Sequence, residues 1–112
     1  MTRARLATGA LVNALIRRAN QAGGFATVLA KGDATAGAVL VVAQDRGTHV
    51  RLWERGLGPS GDIELIAVGP EGDAQALADY WVRRRRNDPD LWVVELDIPQ
   101  AERFAAETLV GD

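Results

Sequence analysis

Four consecutive arginines, Arg83-Arg84-Arg85-Arg86, run directly into Asn87-Asp88-Pro89-Asp90 and then into Leu91-Trp92-Val93-Val94. This junction constrains the fold more than any other stretch. Successive helical residues are rotated by about 100°, so four adjacent arginines on a helix cannot form one basic face. They suit the last turn of a helix, where positive charge complements the carboxyl-end dipole. Pro89 cannot continue a helix. The apolar run behind it then reads as a buried strand, with Trp92, Val94, Leu96 and Ile98 on one face. Arg83 is expected to pair with Asp79 one turn earlier, and Arg85 to lie over Trp81 or to meet Asp88, Asp90 or Asp97.

The rest of the chain divides in the same way. Residues 8–22 carry Leu11, Val12, Leu15, Ile16, Ala19 and Ala22 at helical spacing, with Thr8 as the expected cap and Gly23-Gly24 as the stop. Residues 25–31 alternate as a strand, and 32–37 form a loop. The continuous apolar run 38–43 suits a strand covered on both faces. Asp45-Arg46-Gly47 turns the chain into a third strand, 48–55. Gly56-Leu57-Gly58-Pro59-Ser60-Gly61 forms a loop before a fourth strand, 63–68, which Gly69-Pro70 is expected to end. A helix follows over 71–87, with Ala74, Leu77, Ala78 and Trp81 as its buried stripe. The fifth strand takes 91–98, and a short helix opened by Pro99 docks Ala101, Phe104, Ala105 and Leu109.

The expected fold is therefore α+β: a mixed, mostly antiparallel sheet of about five strands with helices packed mainly on one face, in the order α-β-β-β-β-α-β-α. Short turns favour an antiparallel meander for the first four strands, and the helical return allows the fifth to cross over into the same sheet. The 112 residues suit one small globular domain, 1–112.

Composition narrows the functions. The chain has 47% hydrophobic and 25% charged residues and a net charge of -2, so no global field draws it to a polyanion. Cysteine is absent, which removes disulfides, thiolate chemistry and cysteine zinc sites and suits a cytoplasmic location. Near the start, Asn13 and Arg17-Arg18 interrupt the apolar core that a signal peptide beginning at the basic Met1-Thr2-Arg3-Ala4-Arg5-Leu6 would need. No stretch reaches the ~18 apolar residues of a membrane helix.

Candidate chemistry is sparse. His49 is the one histidine and Ser60 the one serine, with nothing local to make either a metal ligand set or an activated nucleophile. Catalytic residues, metals and cofactors are accordingly not expected. The glycine-rich segment from Lys31 to Gly37 offers Lys31 and Thr35 to a small anion or nucleotide, with Arg85 as a further contact, but it lacks a phosphate loop's ending and a strand follows it. The alternation His49-Arg51-Trp53-Arg55 puts guanidinium groups beside an indole on one sheet face. Arg51, Trp53 and Arg55 could serve a protein interface or, less readily, hold single-stranded nucleic acid. Glu64 on the next strand is placed to pair with an arginine of this stripe. At least one of the three tryptophans is expected to face outward. The best reading is a non-enzymatic interaction module that forms a homodimer or meets another protein.

Taken in order, Ala10-Leu11-Val12-Asn13-Ala14-Leu15-Ile16-Arg17-Arg18, the Lys31-to-Gly37 segment, and the Arg83-to-Glu95 segment resemble a family of short alphaproteobacterial proteins classed as a domain of unknown function. The resemblance covers nearly the whole chain. It implies a compact bacterial protein and brings no activity, cofactor or catalytic residue with it.

Overall fold

A computed structural model describes residues 7–111; the basic segment 1–6 lies outside them. The elements are α1 (Thr8–Gln21), β1 (Phe25–Ala30), β2 (Val39–Asp45), β3 (Thr48–Leu57), β4 (Ile63–Glu71), α2 (Ala74–Asn87), β5 (Trp92–Asp97) and α3 (Ala101–Leu109). They build one five-stranded sheet in the order β1-β5-β2-β3-β4. Three of its neighbouring pairs are antiparallel, and β2 and β5 are parallel.

The insertion of β5 departs from the expected four-strand meander, which survives only as β2-β3-β4. Burial explains it. Residues 39–43 of β2 and 92–94 of β5 are buried whichever way their side chains point, so both strands need cover on two faces and two sides. β1 and β4, whose side chains are exposed or only partly buried, take the edges. Val39, Val41 and Ala43 join Trp92, Val94, Leu96 and Ile98 on the face covered by α1 and α3. Leu40, Val42, Leu52, Leu91 and Val93 point the other way, under Leu77, Tyr80 and Trp81 of α2. Two helices thus pack on one face and one on the other. Of the expected α2 stripe, Leu77 is buried, Ala78 and Trp81 are half-buried, and Ala74 is exposed.

Several boundaries follow local chemistry. Helix α1 ends in paired bonds from Gly24 N–H to the Ala19 carbonyl (2.9 Å) and from Gly23 N–H to the Asn20 carbonyl (3.2 Å), with Gly23 left-handed at φ 86°. Thr8 does not cap the helix. Its buried hydroxyl donates to the Gly37 carbonyl at 2.9 Å, and the amides of Thr8 and Gly9 are taken by the Thr35 and Ala34 carbonyls. A neighbouring loop therefore does the capping. Strand β4 runs on through Gly69-Pro70 to Glu71 past a register shift, which an edge strand tolerates because Pro70 needs no ladder donor. That delays α2 to Ala74, where Asp73 caps it by accepting from Gln75 N–H at 3.0 Å.

Candidate functional site

The glycine-rich loop after β1 is fastened on every side. One Asp33 carboxylate oxygen accepts from the Thr35 and Ala36 amides at 3.1 and 2.8 Å. Asp33 N–H donates to the Asp90 carbonyl at 3.0 Å, and the Asp33 carbonyl accepts the Trp92 indole N–H at 2.7 Å. A Cβ at Gly32 or Gly37 would collide with the Asp90 carbonyl, so only glycine lets the loop close over the turn before β5. Lys31 and Thr35 are exposed. Arg85 approaches the same turn from α2, donating to the carbonyls of Pro89 and Leu91. The structure thus brings the loop and Arg85 to one turn. The Thr35 and Ala36 amides, which an anion would want, already serve the carboxylate of Asp33.

The β3 stripe lies on the face shared with α1 and α3, and Trp53 packs half-buried against their core. Arg51 pairs with Glu71, opposite it on β4, and lies over the Trp53 ring at 5.7 Å. Its Nε is buried without a hydrogen-bond partner. The Arg55 Nε–H donates to the Leu109 carbonyl at 2.7 Å, satisfying one of the last carbonyls of α3. Glu64 sits opposite Gly56, and the pairing falls instead to Glu71. Beyond Arg55 the strand emerges from under α3. Leu57 and Ile63 face each other there, 69% and 37% exposed. None of the three tryptophans is fully exposed: Trp92 is buried, and Trp53 and Trp81 are half-buried.

Within the arginine run, sequence reasoning missed the residue with the strongest contacts. Arg84 grips Glu54 of β3 through two nitrogens, at 2.8 and 3.2 Å, and bonds the Tyr80 hydroxyl at 3.2 Å. The Glu54 bond, against the cost of burial, holds the guanidinium still more firmly in its charged form. An arginine on α2 and an acid thirty residues earlier carry no shared local signal. Asp79 accepts from Gln75 at 2.9 Å rather than from Arg83.

His49 and Lys31 stand at opposite ends of the sheet. His49 has a left-handed backbone, φ 56°, and lines a groove of about 330 Å³ with Asp45, Ile98, Gln100 and Glu102. Among the described residues no three metal-ligating side chains gather, and no helix is long and apolar enough to cross a membrane.

This architecture, a five-stranded mixed sheet with three helices, defines a small α+β domain. The chain belongs to the family described as "Protein of unknown function (DUF1491)", whose model matches residues 6–106. It is similar to a DUF1491 family protein from Caulobacter crescentus solved in a crystal, at 40% identity and a TM-score of 0.79, with 89% of this chain and 94% of that one covered. The NMR structure of a DUF1491 family protein from Caulobacter crescentus matches at 41% identity and TM-score 0.79, covering 91% and 94%. A solution structure of a protein from A. tumefaciens matches at 31% identity and TM-score 0.71, covering 96% and 94%. Both sources are alphaproteobacteria. Comparison with curated proteins gave no significant match.

Proposed function

We propose that the protein is a non-enzymatic protein-interaction module of the cytoplasm, and that its contact face is the end of the β3–β4 hairpin. The observation that supports this most is the position of Leu57 and Ile63. They are exposed apolar residues on the same sheet face as the Arg51–Trp53 stack, just where α3 stops covering it. Monomeric domains scatter single apolar residues over their surfaces, but an aromatic-arginine pair continued by exposed aliphatics has the make-up of an interface anchor. The fitting partner presents apolar side chains to Leu57 and Ile63.

The small-anion reading through Lys31, Thr35 and Arg85 is less favoured, because the Asp33 carboxylate already fills the Thr35 and Ala36 amides and Arg85 is engaged with two carbonyls. Nucleic-acid binding through Arg51, Trp53 and Arg55 is less favoured because Glu71 and the Leu109 carbonyl occupy the two arginines.

The test is photo-crosslinking in cells, with a light-activated residue placed at Leu57 or, as control, at Arg83. A discrete adduct from position 57 alone supports the reading. Equal labelling from both positions, or none from 57, removes it.

A further inference from the structure

The two edges of the sheet are built differently. β4 carries Glu64 and Glu71 and, at Pro70, a residue without an N–H; charge and proline are the usual devices that keep an edge strand from pairing with another chain. β1 has neither of these two devices; its one irregularity is a register shift against β5 between Val28 and Ala30. Phe25-Ala26-Thr27-Val28-Leu29-Ala30 contains no charge and no proline, and Phe25, Val28 and Leu29 are 71%, 38% and 38% exposed. It pairs with β5 on one side only, and among the described residues its outer row of backbone groups has no backbone partner.

The charges at the two ends of β1 are complementary. Exposed Lys31 follows its last residue. At the other end, Gly23, Gly24 and Phe25 border an open groove of about 710 Å³ that holds Asp45 and Asp97 against a single cation, Arg46. An antiparallel partner strand with the same sequence would bring its lysine to this acidic end and receive the first copy's lysine in return. A parallel partner would not.

We infer that β1 is a self-recognition edge, on which a second copy of this chain adds its own β1 antiparallel to make a continuous ten-stranded sheet. A two-fold axis normal to the sheet keeps the α1 layers of both copies on one side. Such an axis must pass through a residue rather than between two, since opposite residues share a face. Centred on Thr27, it sets Thr27 beside Thr27 of the second copy and Ala26 beside Val28 of the second copy, and past the register shift between Val28 and Ala30 it carries each Lys31 toward the other's Gly23-Gly24 turn. Backbone bonds give the affinity and the end charges choose the direction. The strip is roughly 20 Å long, which places the contact at the weak end of specific interfaces.

This inference rests on the interaction-module reading for its class of partner and uses a different surface from the hairpin. Sedimentation of the full chain from 5 μM to 1 mM tests it, beside Thr27→Lys, Thr27→Glu and Leu57→Asp. The expected results are a monomer–dimer equilibrium, a rise of tenfold or more in the dissociation constant for each Thr27 variant alone, and re-formed dimer when the two Thr27 variants are mixed. Leu57→Asp should sediment as the natural chain does. If a Thr27 variant fails to fold by circular dichroism, Lys31→Glu at its exposed position carries the same test, again with a weakened dimer expected. A natural chain monomeric at 1 mM overturns the inference and leaves the crosslinking test of the hairpin face standing. A dimer lost in Leu57→Asp and kept in Thr27→Lys also overturns it, and moves self-association to the hairpin.

Discussion

Arg84 on α2 and Glu54 on β3 meet through two parallel hydrogen bonds, at 2.8 and 3.2 Å, with both side chains less than one-third exposed. Two-point contact of this kind fixes the helix at one height over the sheet, which a lysine could not do. Removing one partner leaves the other charge poorly solvated. Arg84→Ala is expected to destabilise the protein by about 1–3 kcal/mol, whereas Arg83→Ala on the exposed side should stay within ~0.5 kcal/mol. Urea unfolding of the two variants checks the difference. Arg84→Lys should recover only part of the loss.

Gly32→Ala and Gly37→Ala each drive a methyl group into the Asp90 carbonyl, and both are expected to cost about 1–3 kcal/mol by overpacking. Gly56 provides the contrast. Its Cβ would meet only the Ile66 side chain at 3.9 Å, so Gly56→Ala should be neutral or slightly stabilising. Thermal melts of the three variants read this directly.

The Trp92 indole donates to the Asp33 carbonyl at 2.7 Å from within the α1–α3 core. Trp92→Phe keeps most of the apolar volume and loses the donor, for an expected cost of about 1–2 kcal/mol. Because the bond ties the loop to β5, amide exchange in residues 32–37 should accelerate in this variant more than exchange in α2. Uniform acceleration would contradict the loop's dependence on that bond.

Leu57→Asp alters a side chain that touches solvent over most of its surface, so folding stability should hold within ~0.5 kcal/mol. Its expected effect is loss of the crosslinked adduct when the probe is moved to Ile63. A large drop in stability would show the hairpin end to be structural.

What the sequence disclosed followed from how local each signal was. Arg83 to Leu91 announced a helix, its stop and a strand because proline, asparagine and four arginines act within one or two turns. The alternation of Trp92, Val94, Leu96 and Ile98 marks the face of β5 that α1 and α3 cover, because strand side chains alternate whatever the neighbours are. The place of β5 between β1 and β2 was not legible, since it depends on which strands most need cover on both sides. Thr8 looked like a cap because its type favours one, but tertiary contact with the loop before β2 supplied the capping carbonyls instead. The candidate site divided in the same way. Strand periodicity put Arg51, Trp53 and Arg55 on one face, but it could not reveal that Glu71 and the end of α3 would engage the arginines.

The central claim is that the polar groups of the Lys31-to-Gly37 loop and of Arg85 hold the fold together, leaving recognition to the surface. Thermal unfolding against a panel of inorganic phosphate, nucleotides and phosphorylated metabolites tests it most directly. The account predicts no saturable change in the midpoint with any of them. A ligand at a hundredfold excess over its dissociation constant would add about 2.7 kcal/mol, roughly 10 °C for a domain of this size; such a rise, abolished by Lys31→Ala or Thr35→Ala, would contradict it.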